Sequence, residues 1–233
     1  MKSAVFPIFS GRKVAKYMIF NLSEQNSIAN RFVAELRDVQ IQKDRMRFRR
    51  NMERLGEIMA YEISKKLQYT EKAIETPLGI AQINLPDQKL VLATILRAGL
   101  PLHQGLLNYF DYADNAFVSA YRKHHKDGTF EIHIEYVSCP SIEDSVLIVV
   151  DPMLATGASM SLAVQALQEY GVPKEIHFAT AIASSYGLEH IQRLFPESSI
   201  WMGALDEELT AKSYIVPGLG DAGDLSYGLK LQE

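Results

Sequence analysis

The segment Val146-Leu-Ile-Val-Val150, followed by Asp151-Pro-Met-Leu-Ala-Thr-Gly-Ala-Ser159, constrains this chain more than any other. Five consecutive apolar, mostly β-branched residues suit a strand buried on both faces, as in the centre of a parallel sheet. The strand ends in a carboxylate, and a run of small and hydroxyl residues then opens a helical pattern. Free backbone N–H groups and the positive end of a helix converge in such a loop, which suits it to phosphate. Thr156 and Ser159 add hydroxyl donors, and Gly157 allows close approach of the backbone. Asp151, at the carboxyl end of a strand, is placed to accept hydrogen bonds from sugar hydroxyls. A plain βα turn with Ser159 as N-cap accounts for Ala155–Ser159 but leaves the rest of the run unexplained.

The flanking sequence repeats the strand and helix alternation. Lys89–Leu96, Phe117–Tyr121, Ile176–Ala183 and Ser199–Leu205 read as further strands; Leu100–Phe110, Ser159–Tyr170 and Leu188–Phe195 read as helices, the second stopped by Gly171 and Pro173. Repeated βα units predict an α/β fold with a mainly parallel sheet and right-handed crossovers. Phe130, Ile132, Ile134 and Tyr136 alternate with Glu131, His133 and Glu135, so this stretch predicts a projecting β-hairpin with Phe117–Tyr121, turned at Lys126-Asp127-Gly128. Upstream, one helical pattern runs from about Ser27 to Leu67, with Phe48, Met52, Leu55, Met59, Ile63 and Leu67 on one face. Residues 1–25 read as an arm or a short ordered extension.

Charge excludes some partners. The 233 residues carry 24 basic and 28 acidic side chains, a net −4, against what bulk nucleic-acid binding needs. Ten basic against six acidic residues between Arg31 and Lys66 leave that segment at +4, either a solvated helix face or a contact surface. Cys139 is the only cysteine, which excludes an internal disulfide and a multi-cysteine metal site; it reads as a packed thiol. No stretch approaches the roughly 18 uninterrupted apolar residues of a membrane span, so a cytoplasmic chain without membrane or nucleic-acid partners is expected. There is no G-x-x-x-x-G-K-[ST] loop, and Gly218, Gly220 and Gly223 lie too near the end of the chain for a βαβ dinucleotide unit. His124 and His125 read as exposed hairpin residues.

Taken in order along the chain, four segments resemble the type I phosphoribosyltransferases, and Asp151-Pro-Met-Leu-Ala-Thr-Gly157 resembles their uracil phosphoribosyltransferase family in particular. Asp151, Pro152, Met153, Leu154, Ala155, Thr156, Gly157, Ala158 and Ser159 are similar to that family's loop for phosphoribosyl diphosphate (PRPP). Ile95-Leu-Arg-Ala-Gly-Leu100 resembles its pyrophosphate turn, Tyr121-Arg122 the arginine that starts its flexible hairpin, and Tyr214–Asp224 its uracil-binding loop. Leu36-Arg37-Asp38 and the turn Glu75–Gly79 also fit. The resemblance implies one phosphoribosyltransferase domain over 1–233, made of an N-terminal arm and helices (1–70), a PRPP-binding core (89–205) and a C-terminal base-binding loop (206–233).

The same resemblance implies the reaction of uracil with PRPP to give UMP and diphosphate in pyrimidine salvage. Arg97, Arg122, Asp151 and Asp221 are then the catalytic candidates, the two arginines stabilising the departing diphosphate. Ile215, Gly220, Asp221 and Ala222 are the uracil-binding candidates, reading the base largely by main-chain groups. Mg2+ is implied as cofactor, with no protein metal site and the ion held mainly through PRPP. A strained non-prolyl peptide within Leu96-Arg97-Ala98 and a homodimer or higher homo-oligomer are also implied. The sequence departs from the family at Ala158, in place of a glycine with a penalty if φ is positive there, and at Lys123, His124, Thr210 and Leu225–Tyr227. A transferase for another base, or a non-catalytic nucleotide-binding regulator, therefore stands beside the uracil reading.

Overall fold

The computed structural model describes residues 18–124 and 130–230, with backbone alone at 121–124 and 130–133. The chain runs β1 (Met18–Asn21), α1 (Ile28–Arg37), α2 (Arg45–Ser64), β2 (Tyr69–Thr76), β3 (Gly79–Pro86), β4 (Leu90–Leu96), α3 (Leu100–Leu107), β5 (Asp114–His124) and β6 (Phe130–Ser138). It continues with β7 (Val146–Val150), β8 (Met153–Leu154), α4 (Ala158–Leu167), β9 (Glu175–Ser184), α5 (Ser185–Leu194), β10 (Ser199–Asp206), β11 (Glu208–Leu209), β12 (Ile215–Val216) and α6 (Ala222–Tyr227). The main sheet has the order β1-β10-β9-β7-β4-β5-β6, with β8 added to β9, and is parallel except where β6 returns along β5.

Period-two alternation divides the central strands between two cores. Val146, Ile148 and Val150 of β7 and Leu90 and Leu92 of β4 meet α1, α2 and α3 on one face. Leu147 and Val149 of β7, with Val91, Ala93 and Ile95 of β4, meet Met160, Val164, Leu188 and Ile191 of α4 and α5 on the other. The helices α2 and α3 approach closely because Gly56 and Gly105 face each other; a Cβ on Gly105 would overlap the Glu53 carbonyl, and one on Gly56 the Leu102 carbonyl. The α/β architecture with a mainly parallel sheet is as the βα pattern predicts.

Several local expectations change. The single helical stretch over 27–67 is two helices. Asp38 ends α1 and accepts from the N–H groups of Gln40 and Ile41, while Asp44 caps α2 by accepting from Arg47 N–H; both carboxylates act as turn and cap residues, not as a helix face. Residues 18–21 of the expected arm form an edge strand parallel to β10. The Glu75–Gly79 turn joins β2 to β3, a two-stranded hairpin that no apolar alternation announces, since β2 is exposed throughout. The 117–136 hairpin forms as β5 and β6, and its proposed turn at 126–128, with His125, lies outside the described residues. The loop expected over 206–233 contains the β11–β12 ribbon and α6.

Candidate active site

Strand order places the site. From β4 the chain crosses through α3 to β5 on one side, while β7 pairs with the other side of β4 and leads through α4 to β9. The carboxyl ends of β4 and β7 therefore flank a topological switch point, where ligands of open α/β sheets bind. Thr94 lies opposite Val150 in register, so the Arg97–Gly99 turn and the loop from Asp151 leave the sheet side by side.

The Leu96–Arg97 peptide is cis, which agrees with the special peptide that the family resemblance implies at this turn. Gly99 is required there by close packing: a Cβ would overlap Thr94 Oγ1 and lie 2.8 Å from the Ile95 carbonyl and 2.9 Å from that of Val150. In the neighbouring loop Asp151 Oδ1 accepts from Met153 N–H at 3.4 Å, and Thr156 Oγ1 accepts from Ala158 N–H at 3.4 Å. Pro152, Leu154 and Gly157 are buried, whereas Asp151, Met153, Ala155, Thr156, Ala158 and Ser159 remain partly accessible. From beneath, Ser184 Oγ donates to the Ala155 carbonyl and accepts from Gly187 N–H, tying the loop to the start of α5.

The N-cap of α4 is Gly157, at φ 79°, and Ser159 lies inside the first turn. This corrects the N-cap reading of Ser159 and removes the penalty attached to Ala158, since the left-handed position belongs to the preceding glycine.

Arg97 points at the C-terminal segment. Its Nη2 donates to Asp224 Oδ1 at 2.8 Å and to the Gly228 carbonyl at 2.6 Å, and its buried Nε has no hydrogen-bond partner among the described residues. Asp221 caps α6 by accepting from Asp224 N–H at 2.9 Å. A Cβ on Gly223 would stand 3.2 Å from Asp221 Oδ1 and 3.7 Å from both Arg97 Nε and Ala98 Cβ, so the segment that carries the base-binding candidates abuts the pyrophosphate turn at Gly223. Arg122 lies in β5 across from Ile132, three residues beyond Ser119, which pairs with the end of β4; Lys123 and His124 share its strand.

Ile215 is buried in β12, Gly220 is at φ 94° and Ala222 opens α6. Thr210 closes the ribbon turn: its N–H donates to the Tyr214 carbonyl and its Oγ1 accepts from Tyr214 N–H. Leu225 packs on the core, and Tyr227 lies beneath Arg49, whose Nη1 donates to the Ser226 carbonyl. A cavity of about 360 Å³ opens between Gln42, Lys43 and Arg45 and the residues Leu219–Asp221, Asp224, Leu225 and Leu229. Within the basic surplus over 31–66, Arg49 is bound to the C-terminal segment of the same chain, and Arg50 and Lys65 pair with Glu53 and Glu62 of their own helix.

Sequence reasoning passes over Asp206, Asp224 and the reach of Arg37. Asp206 could have been found by the signal that marks Asp151, a carboxylate closing an apolar strand. Cys139 is half-buried against the core, as expected, and burial pushes its thiol pKa up. Among the described residues no group of three or more His, Cys, Asp or Glu side chains is placed to hold a metal, and no helix is long and apolar enough to cross a membrane.

A sequence model of the family described as uracil phosphoribosyltransferase matches residues 23–228. A uracil phosphoribosyltransferase of Porphyromonas gingivalis is 58% identical over 214 residues, which is 91% of this chain and 99% of that one. One from Thermococcus gammatolerans is 37% identical, over 90% of this chain and 93% of its own. The solved structure of an Aquifex aeolicus protein superposes with a TM-score of 0.81 at 31% identity, covering 92% of this chain and all of that one.

Proposed function

Because the chain belongs to the uracil phosphoribosyltransferase family, we propose that it joins uracil to PRPP, forming UMP and releasing diphosphate, in pyrimidine salvage. The observation that carries this reading at the level of residues is the abutment of Gly223, two residues after Asp221, on Arg97 and Ala98. It brings the segment that would read the base against the turn that would hold the diphosphate, at the sheet's switch point.

The chemical task is to break the bond between the ribose C1′ and the diphosphate while a ring nitrogen of uracil takes its place and gives up its proton. Negative charge gathers on the leaving group and positive character on the sugar. Arg97 supplies positive charge toward the former, the kind of preorganised field that contributes most where water is excluded, and the likeness to the family gives Arg122 the same part. The loop from Asp151 to Ser159 offers backbone N–H groups at the start of α4, with Thr156 and Ser159 hydroxyls, to the 5′-phosphate. Asp151 takes the ribose hydroxyls. Ile215, Gly220 and Ala222 offer main-chain donors and acceptors to the base, and Asp221 borders both substrates. Mg2+ would neutralise diphosphate charge, and the donors at hand suit this hard ion: the Asp151 and Asp221 carboxylates beside the oxygens of PRPP itself.

We place the protein in the cytoplasm and in a homo-oligomer. Support for the second comes from the β2–β3 hairpin, where Leu78 is fully exposed and Ile80 and Ile83 are also open to solvent, an apolar surface suited to a second copy. Incubation with PRPP, Mg2+ and each nucleobase separately tests the activity. UMP from uracil is the expected product; a nucleotide formed only from another base, or binding without product, would overturn it.

A further inference from the structure

Outside the residues already assigned, the most completely bonded polar group against the site joins α1 to the base loop. Arg37, the last residue of α1, donates from Nη1 to Asp206 Oδ2 at 2.8 Å and from Nη2 to Asp206 Oδ1 at 2.7 Å, a two-pronged pair. The same Nη1 reaches the Gly218 carbonyl at 3.0 Å, and Asp206 Oδ2 accepts from Gly218 N–H at 2.8 Å. Both polar groups of one peptide residue are therefore held by one ion pair. Asp206 is only 7% exposed, and charge-assisted bonds of this planar, forked kind fix orientation as well as position.

Gly218 is where such control has most effect. It sits at φ 56°, follows the cis Val216–Pro217 peptide, and leaves no room for a side chain, because a Cβ would overlap the Ile215 carbonyl. Ile215 lies three residues before it and Gly220 two after, so rotation at Gly218 would turn the main-chain groups on either side. Asp206 is itself anchored as the last residue of β10, in register with Ser184 of β9.

We infer that Arg37 and Asp206 are positioning residues for base recognition, setting the direction of the main-chain groups that read the pyrimidine without touching the diphosphate. The inference rests on the uracil reading of the loop. A pair that served the fold alone would affect both substrates and stability together, whereas a positioning pair acts on one substrate.

The test is steady-state kinetics of UMP formation, with uracil and PRPP varied separately, for the wild type, Asp206→Asn and Arg37→Lys. Lysine keeps the charge but cannot fork between Asp206 and the Gly218 carbonyl. The expected result is a rise of about tenfold in the KM for uracil, the loss of one well-made polar contact, with the KM for PRPP moving by less than about twofold. The double variant Arg37→Met, Asp206→Leu removes both charges, so that neither is left buried alone, and is expected to fold and show the same split. An unchanged KM for uracil, an equal rise for both substrates, or failure of all three variants to fold would overturn the inference. A wild type that makes no UMP would instead refute the uracil reading, and the two failures are distinct.

Discussion

Arg97 Nη2 stands 2.8 Å from Asp224 Oδ1, so the pyrophosphate turn and the helix after the base loop are joined by one charged contact. The contact ties a candidate catalytic group to the element that carries Asp221 and Ala222. Replacing Arg97 by Met removes positive charge from the leaving group and the anchor of α6 at once; kcat is expected to fall by about 10²–10³-fold. Asp224→Asn keeps a hydrogen bond and loses the ionic part, so a smaller loss is expected, with the KM of both substrates raised. Initial rates of UMP formation measure both, and a full-rate Arg97→Met enzyme would remove Arg97 from the chemistry.

Asp151 follows β7 and lies at the switch point, half-buried, with its own N–H donating to the Ala179 carbonyl of β9. Asp151→Asn keeps that backbone contact and an oxygen able to accept from Met153 N–H, so the fold is expected to be retained while kcat/KM for PRPP drops by about 10–100-fold, the value of charged hydrogen bonds to sugar hydroxyls. Kinetics equal to wild type would withdraw the ribose assignment.

What could be read in advance follows burial. Val146–Val150 and Lys89–Leu96 announce themselves because strands covered on both faces are near-continuous apolar runs, and their ends locate Asp151 and Arg97. The β2–β3 hairpin has no buried face to impose a pattern, so Glu71, Lys72 and Glu75 interleave freely with Ile74 and the period is lost. The break between α1 and α2 is hidden because Asp38 and Asp44 fit a polar helix face as readily as they fit caps. The partners of Arg37, Asp206 and Gly218, are 169 and 181 residues away in the chain, and such contacts arise only when β10 and the base loop are folded back on α1. The same distance separates the legible parts of the site, its loops, from the illegible one, their mutual anchoring.

The αL position in the PRPP loop is at Gly157 and not at Ala158, which sets opposite expectations for the two neighbours. Gly157→Ala forces a side chain into φ 79° and brings a Cβ to 3.0 Å from His190 Cδ2 and 3.2 Å from Ile191 Cγ1, for a loss of at least about 1–2 kcal/mol. Ala158→Gly, although it moves the sequence toward the family pattern, adds backbone freedom in the first turn of α4 and is expected to cost about 0.5–1 kcal/mol. Denaturant unfolding of both variants decides the matter. A stabilised Ala158→Gly protein would contradict the assignment of the left-handed residue.

Glu35 joins the two N-terminal helices and gives the fold a defined acid dependence. Its carboxylate accepts from Arg47 Nε and Nη2, from Asn51 Nδ2 at 2.8 Å and from Arg31 Nε at 3.2 Å. The Arg47 hydrogen bonds, followed by that of Asn51, lower its pKa from an ordinary 4.5 to about 2. A carboxyl with a lowered pKa in the folded state stabilises it fully above the unfolded value and loses that contribution as pH falls through the folded one. Glu35→Gln should therefore melt a few degrees below the wild type at pH 7. The gap should hold down to about pH 5 and close progressively toward pH 2. Thermal melts of the two proteins from pH 7 to pH 3 measure this, and a gap that widened on acidification would show that the Arg47–Glu35 pair does not set the charge state of the carboxylate.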